Sequence, residues 1–235
     1  MHVFAKAVDA TYTSMVARSK QPGGSATKVA DKGGRYHHGD LRRALIDAAS
    51  ELVKEHGPRG ITLREAARRA GVTHAAPYRH FADKEALLAA LAEEGFLRLR
   101  EAIERALEGI PAAERLEVLG VAYVRFARAH PSQFRVMFGA EMGDKRRYPS
   151  LMQADQAVFD VLCEAIRAAQ QAGLLPPGNP ARLGMVQWSM LHGVASLVVD
   201  GQLERAGVRE DQLDEFARRV ARTGVAGLRQ WAQSK

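Results

Sequence analysis

Apolar positions Leu41, Ala44, Leu45, Ala48 and Leu52 recur at spacings of three and four residues, the period of one helical face. Asp40 stands where an N-cap belongs, and Gly57-Pro58 close the run. The next stretch, "ITLREAARRAGV", places Thr62 three residues before Glu65. That spacing predicts a capping box, in which the hydroxyl takes the Glu65 amide and the carboxylate reaches back. Ile61, Ala66, Ala67 and Ala70 form its apolar face, and Gly71 stops it. After "GVTHAAPYRHF" a much longer pattern begins, "ADKEALLAALAEEGFLRLREAIERAL", with Asp83 as its cap. Further helices are expected over residues 112–130, 149–172, 180–200 and 210–231, with "SQFRVMFG" as a short aromatic segment. "GLLPPGNP" and "DGQLERAG" read as loops. No alternating run of strand formers interrupts the series, so the fold class is all-α.

Two short helices joined by a tight glycine-containing turn, behind a supporting helix, describe a helix-turn-helix. Three segments follow: a flexible basic arm over 1–35, a helix-turn-helix domain over 36–85, and a larger helical domain over 86–235, which the resemblance given below makes the effector-binding and dimerisation domain. The arm holds "SKQPGGSATKVADKGGR", with little to bury, and Met15 offers an alternative start.

Charge sharpens this division. Residues 1–35 carry six Lys/Arg against two Asp, and residues 36–82 carry eight against five. Residues 95–235 hold 19 against 16. A basic front over a nearly balanced rear suits a polyanion partner. Cys163 is the only cysteine, so no intrachain disulfide forms, which fits a reducing compartment. No apolar run is long enough to span a bilayer, and the first residues lack a secretory core. The expected location is the cytoplasm, on the nucleoid, away from the membrane.

The stretch from Gly39 to Leu91 resembles the DNA-binding domain of the tetracycline-repressor-like (TetR/AcrR) family of bacterial regulators. "GVTHAAPYRHF-x-x-K-E-x-L" occupies the place of the family's Gly-Val-Ser-x-x-x-(aliphatic)-Tyr-x-His-Phe-x-x-Lys signature. Downstream, "HPSQFRVMFG" and "WSMLHGVASL" resemble the carboxy-terminal domain of the subgroup named for its Trp-His-Gly motif. The resemblance implies a three-helix DNA-binding domain on a larger helical domain that dimerises and often holds an inducer. Two departures stand out: Pro77 replaces an aliphatic residue, and Ala75-Ala76 replaces the common Gly-Thr.

Residue by residue, the resemblance puts Arg64 at a base-reading position on the second helix and Thr62 near phosphate. Thr73, His74, Ala75, Ala76, Arg79 and His80 belong to the recognition segment, with Thr73 expected to cap it and His80 either reading DNA or facing the core. Tyr78 and Lys84 match residues that hold backbone phosphates. Phe81 packs inside. With Thr73 as cap, Pro77 is the fourth helical position, and a slightly opened first turn presents His74 and Ala75 toward the groove. In the larger domain Phe126, Phe138, Phe159 and Trp188 outline an aromatic effector pocket, with His192 as a polar contact. Gly193 and Ala195 suggest close helix–helix packing, and the last two helices are assigned to a two-fold dimer.

The expectation is therefore a homodimeric repressor on a palindromic double-stranded DNA operator, released by a small-molecule effector, with no cofactor. The spacing of the histidines is poor for a metal, and none is expected. An effector-independent, nucleoid or division-associated DNA binder on the same fold is the alternative. An all-helical enzyme is a third, but the chain has no nucleophile–base constellation, phosphate loop or metal cluster to support it.

Overall fold

Cap and stop signals set the helix boundaries, and burial of the apolar faces sets their packing. The computed structural model describes residues 38–233; the arm expected over 1–35 lies outside them. Helix α1 runs His38–His56, so it begins two residues before the expected Asp40 cap. Its Leu45, Ile46, Ala49, Leu52 and Val53 are buried. Gly57 stops it in the left-handed region (φ 69°), with its N–H donating to the Val53 carbonyl at 2.9 Å.

Helix α2 spans Leu63–Arg69, and the Thr62 hydroxyl accepts the Glu65 N–H at 3.1 Å, as its spacing predicts. The return half of the box does not form. The Glu65 carboxylate instead accepts from Arg68 Nε at 3.3 Å. A guanidinium one turn away is a stronger partner than a solvated amide. Arg69 grips Glu55 of α1 with two bonds of 2.6 Å. This pair is exposed and screened by solvent, so burial of Leu63, Ala66 and Ala67 is what holds α2 in place.

Helix α3, Lys84–Leu107, is capped by Asp83, whose carboxylate accepts the Ala86 N–H at 2.8 Å. It packs on α1 and also on α4 (Arg115–Ala129), α5 (Pro131–Phe138) and α6 (Pro149–Gln171). Leu87, Leu91, Phe96, Leu99 and Ile103 therefore belong to one continuous core that reaches from Leu45 to Leu151. Prolines open α5 and α6 at a position where their missing N–H has no helical partner to lose.

Helix α7, Pro180–Val199, is capped by Asn179, and α9 spans Leu213–Gln233. The stretch read as a loop between them holds a one-turn helix, α8, Gln202–Arg205. It forms because Leu203 finds a small second core with Val121, Val124 and Val194. Among the described residues no helix is long and apolar enough to cross a membrane.

Helices α4, α7 and α9 pack together. At their centre Gln187 is fully buried, and its Nε2 donates to the Ala221 carbonyl of α9 at 3.1 Å. Its Oε1 occupies the space that a Cβ at Gly224 would take. Gly224→Ala should displace this amide and lower stability by about 1–3 kcal/mol, read as an earlier urea midpoint. Gly227→Ala, which meets open space, serves as the control and should be neutral or stabilising by up to about 1 kcal/mol. Equal midpoints for wild type and Gly224→Ala would contradict the tight α7–α9 approach.

Candidate functional site

Local chain chemistry between α2 and α3 builds a compact exposed corner. Gly71 adopts φ 70°, closing α2 and turning the chain. The next segment is not the α-helix expected from a Thr73 cap. The Ala76 N–H donates to the Thr73 carbonyl at 3.0 Å, and a 3-10 turn then covers Pro77–Arg79. Pro77 is its first residue and is buried. The physical reason is the proline itself. An α-helix from Thr73 needs a Pro77 N–H to reach the Thr73 carbonyl, and Ala76 supplies the bond one residue earlier. Arg79 and His80 continue the tight pattern, donating to Ala76 and Pro77 at 3.3 and 2.9 Å.

Around this corner Thr62, Arg64, Thr73, His74, Ala75, Tyr78 and Arg79 are exposed, and Ala76 is half-buried. Tyr78 shows 56% of its surface, high for a tyrosine in a folded chain. The 3-10 turn packs on α2, bringing Arg64 and Tyr78 into one small unit. Phe81 is buried, with the Arg42 guanidinium 5.6 Å from its ring centre. His80 is half-buried, and its Nε2 is enclosed without a hydrogen-bond partner. Lys84 Nζ donates to the Arg59 carbonyl at 2.8 Å, tying α3 to the α1–α2 turn. Sequence reasoning missed Arg59, whose side chain is 89% exposed beside Glu141 at 3.5 Å. Its place in a Pro-Arg-Gly turn directly before a capped helix was the available signal.

A second cluster sits among α4, α5 and α7. His192 stacks on Trp188 with ring centres 4.7 Å apart and meets Phe138 edge-on at 4.7 Å. Tyr123 and Phe134 complete it, with the Tyr123 hydroxyl 2.9 Å from His192 Nδ1. Phe159 lies against α7, with its ring 3.4 Å from where a Cβ at Gly184 would stand. Phe126 differs: its ring neighbour is His130, at 4.9 Å. Burial, then the nearby Lys145 charge, lowers the His192 pKa, so this imidazole is neutral near pH 7. Burial also raises the Tyr123 pKa, against a hydrogen bond from Trp188.

Open clefts of about 330 and 520 Å³ lie elsewhere, the first along Leu116, Ala169 and Val225, the second along Val198, Leu203 and Val208. Charged side chains line both as well, Glu117, Arg222 and Arg229 in the first and Arg128, Glu204, Arg209 and Glu210 in the second. Among the described residues no group of three or more His, Cys, Asp or Glu could hold a metal ion.

Comparison with known proteins bears on both regions. Residues 45–91 match the sequence model for bacterial regulatory proteins of the tetR family, and residues 116–223 match the tetracyclin repressor-like C-terminal domain. An uncharacterised HTH-type transcriptional regulator of Haemophilus influenzae is 31% identical over 133 residues, which cover 55% of this chain and 65% of that protein. A Rhodococcus sp. RHA1 protein of unknown function is 39% identical, with a TM-score of 0.71, over 83% of this chain and 98% of that one. FadR from Bacillus subtilis, solved in complex with stearoyl-CoA, is 19% identical with a TM-score of 0.61, over 79% and 98% of the two chains. At that identity the likeness shows the fold alone.

Pro77→Leu tests the corner's construction. Leucine restores an N–H but enlarges a buried side chain, so the variant should fold, losing at most about 1–3 kcal/mol. Circular dichroism and thermal melting check this; an unfolded variant would mean that the turn depends on the proline ring.

Proposed function

Because the chain belongs to the TetR family of bacterial regulatory proteins, we propose that it is a homodimeric repressor that binds a palindromic operator and leaves it when a small organic effector occupies the larger domain. The observation that carries this reading is the exposed corner built on Pro77. A major-groove reader needs a rigid, protruding unit with donors on it, and this corner presents Arg64, His74, Tyr78 and Arg79. Arg64 reads a base edge. Thr62, Thr73, Tyr78 and Lys84 fix the phosphates. Ala75 and Ala76 let the backbone approach closely, and His80 holds the turn from inside.

The dimer reading rests on the outer face of α7. Val186 and Leu197 are exposed there, 39% and 45%, in line with half-buried Met190 and exposed Gly193. Gly193 was expected to let helices pack closely, yet within the chain a Cβ at that position meets nothing within 4 Å. A second copy covering this flat apolar stripe, with α9 beside it, supplies the missing neighbour.

Release needs a path from the aromatic cluster to the corner, and the segment between α5 and α6 offers one. At one end Lys145 Nζ donates to the Met137 carbonyl at 2.6 Å. At the other, Arg147 pairs with Glu85 at 3.0 Å and Asp83 at 3.8 Å, at the start of α3. Exposed pairs of this kind are weak, at most about 1 kcal/mol each, so modest differential binding of an effector shifts the population of head positions. The fold-related FadR was solved with stearoyl-CoA, so this fold is able to hold an organic ligand.

Footprinting on DNA flanking the gene tests the function. The expected result is a protected palindrome whose affinity falls steeply with salt, as phosphate contacts release counterions. Arg64→Ala should cost about 1–3 kcal/mol and relax preference at one base pair of each half-site. Protection of many unrelated sites, insensitive to any ligand, would favour the effector-independent DNA binder; no protection at modest salt would remove the regulator reading.

A further inference from the structure

The cleft of about 330 Å³ along Leu116, Ala169 and Val225 opens where α4, the end of α6 and α9 meet the loop after α6. Small side chains leave it open: Ala112, Ala113, Ala169 and Ala226 line it where larger residues would fill it. Leu116, Ala169 and Leu175 are buried in its wall, and Val225 is half-buried. The wall is preformed. The Leu174 and Leu175 N–H groups donate to the Ala169 carbonyl at 2.8 and 3.3 Å. Gln170 Nε2 closes the same loop, donating to the Pro176 and Gly178 carbonyls at 2.9 and 3.1 Å. No lining residue comes from α7, whose exposed stripe is assigned above to a second copy.

Two arginines stand at this cleft, and neither is fully spent. Arg229 Nε donates to the Leu174 carbonyl at 2.7 Å, which fixes its guanidinium at the wall. Its terminal amino groups have no acceptor among the described residues. Arg222 Nε donates to Glu117 Oε1 at 2.7 Å and makes no other hydrogen bond among the described residues. Two guanidinium charges against one carboxylate leave one positive charge over. A ligand with a single negative charge balances the cleft, whereas a cation meets a surplus of its own sign. The guanidinium's flat fork of donors matches a carboxylate. The rest of the lining is aliphatic, with no ring to stack on, and suits a flexible chain. Small-molecule sites run from ~300 to 1,000 Å³, so this one has room for a short chain.

We propose that this cleft takes a short amphipathic monocarboxylate. Its carboxylate sits on Arg229 and Arg222, and its aliphatic chain lies along Leu116, Leu175 and Val225. The site shares no residue with the aromatic cluster, and the assignment does not depend on the regulator reading.

The test titrates the full chain, 15N-labelled and free of DNA, with octanoate, hexanoate, 1-octanol and octylammonium below their micellar range. Octanoate should shift the amide signals of Leu174, Leu175 and Val225 saturably. It should bind on the order of tenfold tighter than octanol, the worth of a hydrogen bond to a charged group. Losing two methylenes, in hexanoate, should weaken binding roughly tenfold. Arg229→Met should erase the preference for octanoate over octanol, and Arg222→Met tests the same point should the first variant fold poorly. Ala113→Trp, at an exposed lining position, should block octanoate while leaving the fold intact. Octanol or octylammonium binding as tightly as octanoate, or equal binding of octanoate and hexanoate, would overturn the assignment. So would shifts confined to other regions, an unchanged preference in a folded arginine variant, or undiminished octanoate binding to Ala113→Trp. No shift with any probe, the result expected if a second copy fills the cleft, overturns it as well.

Discussion

Everything in this chain hangs on α3 being one uninterrupted helix shared by two packing environments. Its 24 residues span about 36 Å at the usual rise. Leu87 and Leu91 lie in the same continuous core as Leu45 and Leu52 of α1, and so do Phe96, Leu99 and Ile103 with Phe134 and Leu151 of the larger domain. No flexible linker separates the exposed corner from the larger domain among the described residues. The corner therefore moves only if α3 moves, and α3 moves only if buried side chains on several helices repack.

That constraint explains why weak contacts are useful at the periphery. The α3 N-terminus is held by the Asp83 cap and approached by Arg147, and Glu141 approaches Arg59 on the preceding turn. Each contact is small beside the core, so the core decides the fold while the contacts bias small rotations of α3. Lys145, bonded to the Met137 carbonyl of α5, stands two residues from Arg147 within the same 3-10 turn, Lys145–Arg147. The end of α5 and the start of α3 are thus joined through one short turn.

Local chemistry was legible in the sequence where it was truly local. Thr62, Asp83, Gly57 and Gly71 announced helix ends because capping involves residues three or four apart. The same logic failed at Thr73, where a cap was inferred without allowing the proline to convert the segment into tight turns. Glu65 was misassigned because its competitor, Arg68, lies on the solvent side, where partner choice is nearly free. In the larger domain Trp188 and His192, one turn apart on α7, could be read as a pair. Tyr123 could not be read as their partner, since it lies 69 residues before His192 and spacing carries no information about that contact. Gly193 was legible as unusual, but the close packing expected of it is not made within the chain, where a Cβ at that position meets nothing within 4 Å.

In the proposed dimer, a head carried on α3 presents its two copies at one separation. Selection of binding sites from randomised double-stranded DNA measures that separation directly. The account predicts a two-fold symmetric consensus with a single fixed spacing between half-sites. Half-sites recovered at variable spacing or orientation, or no consensus at all, would contradict it.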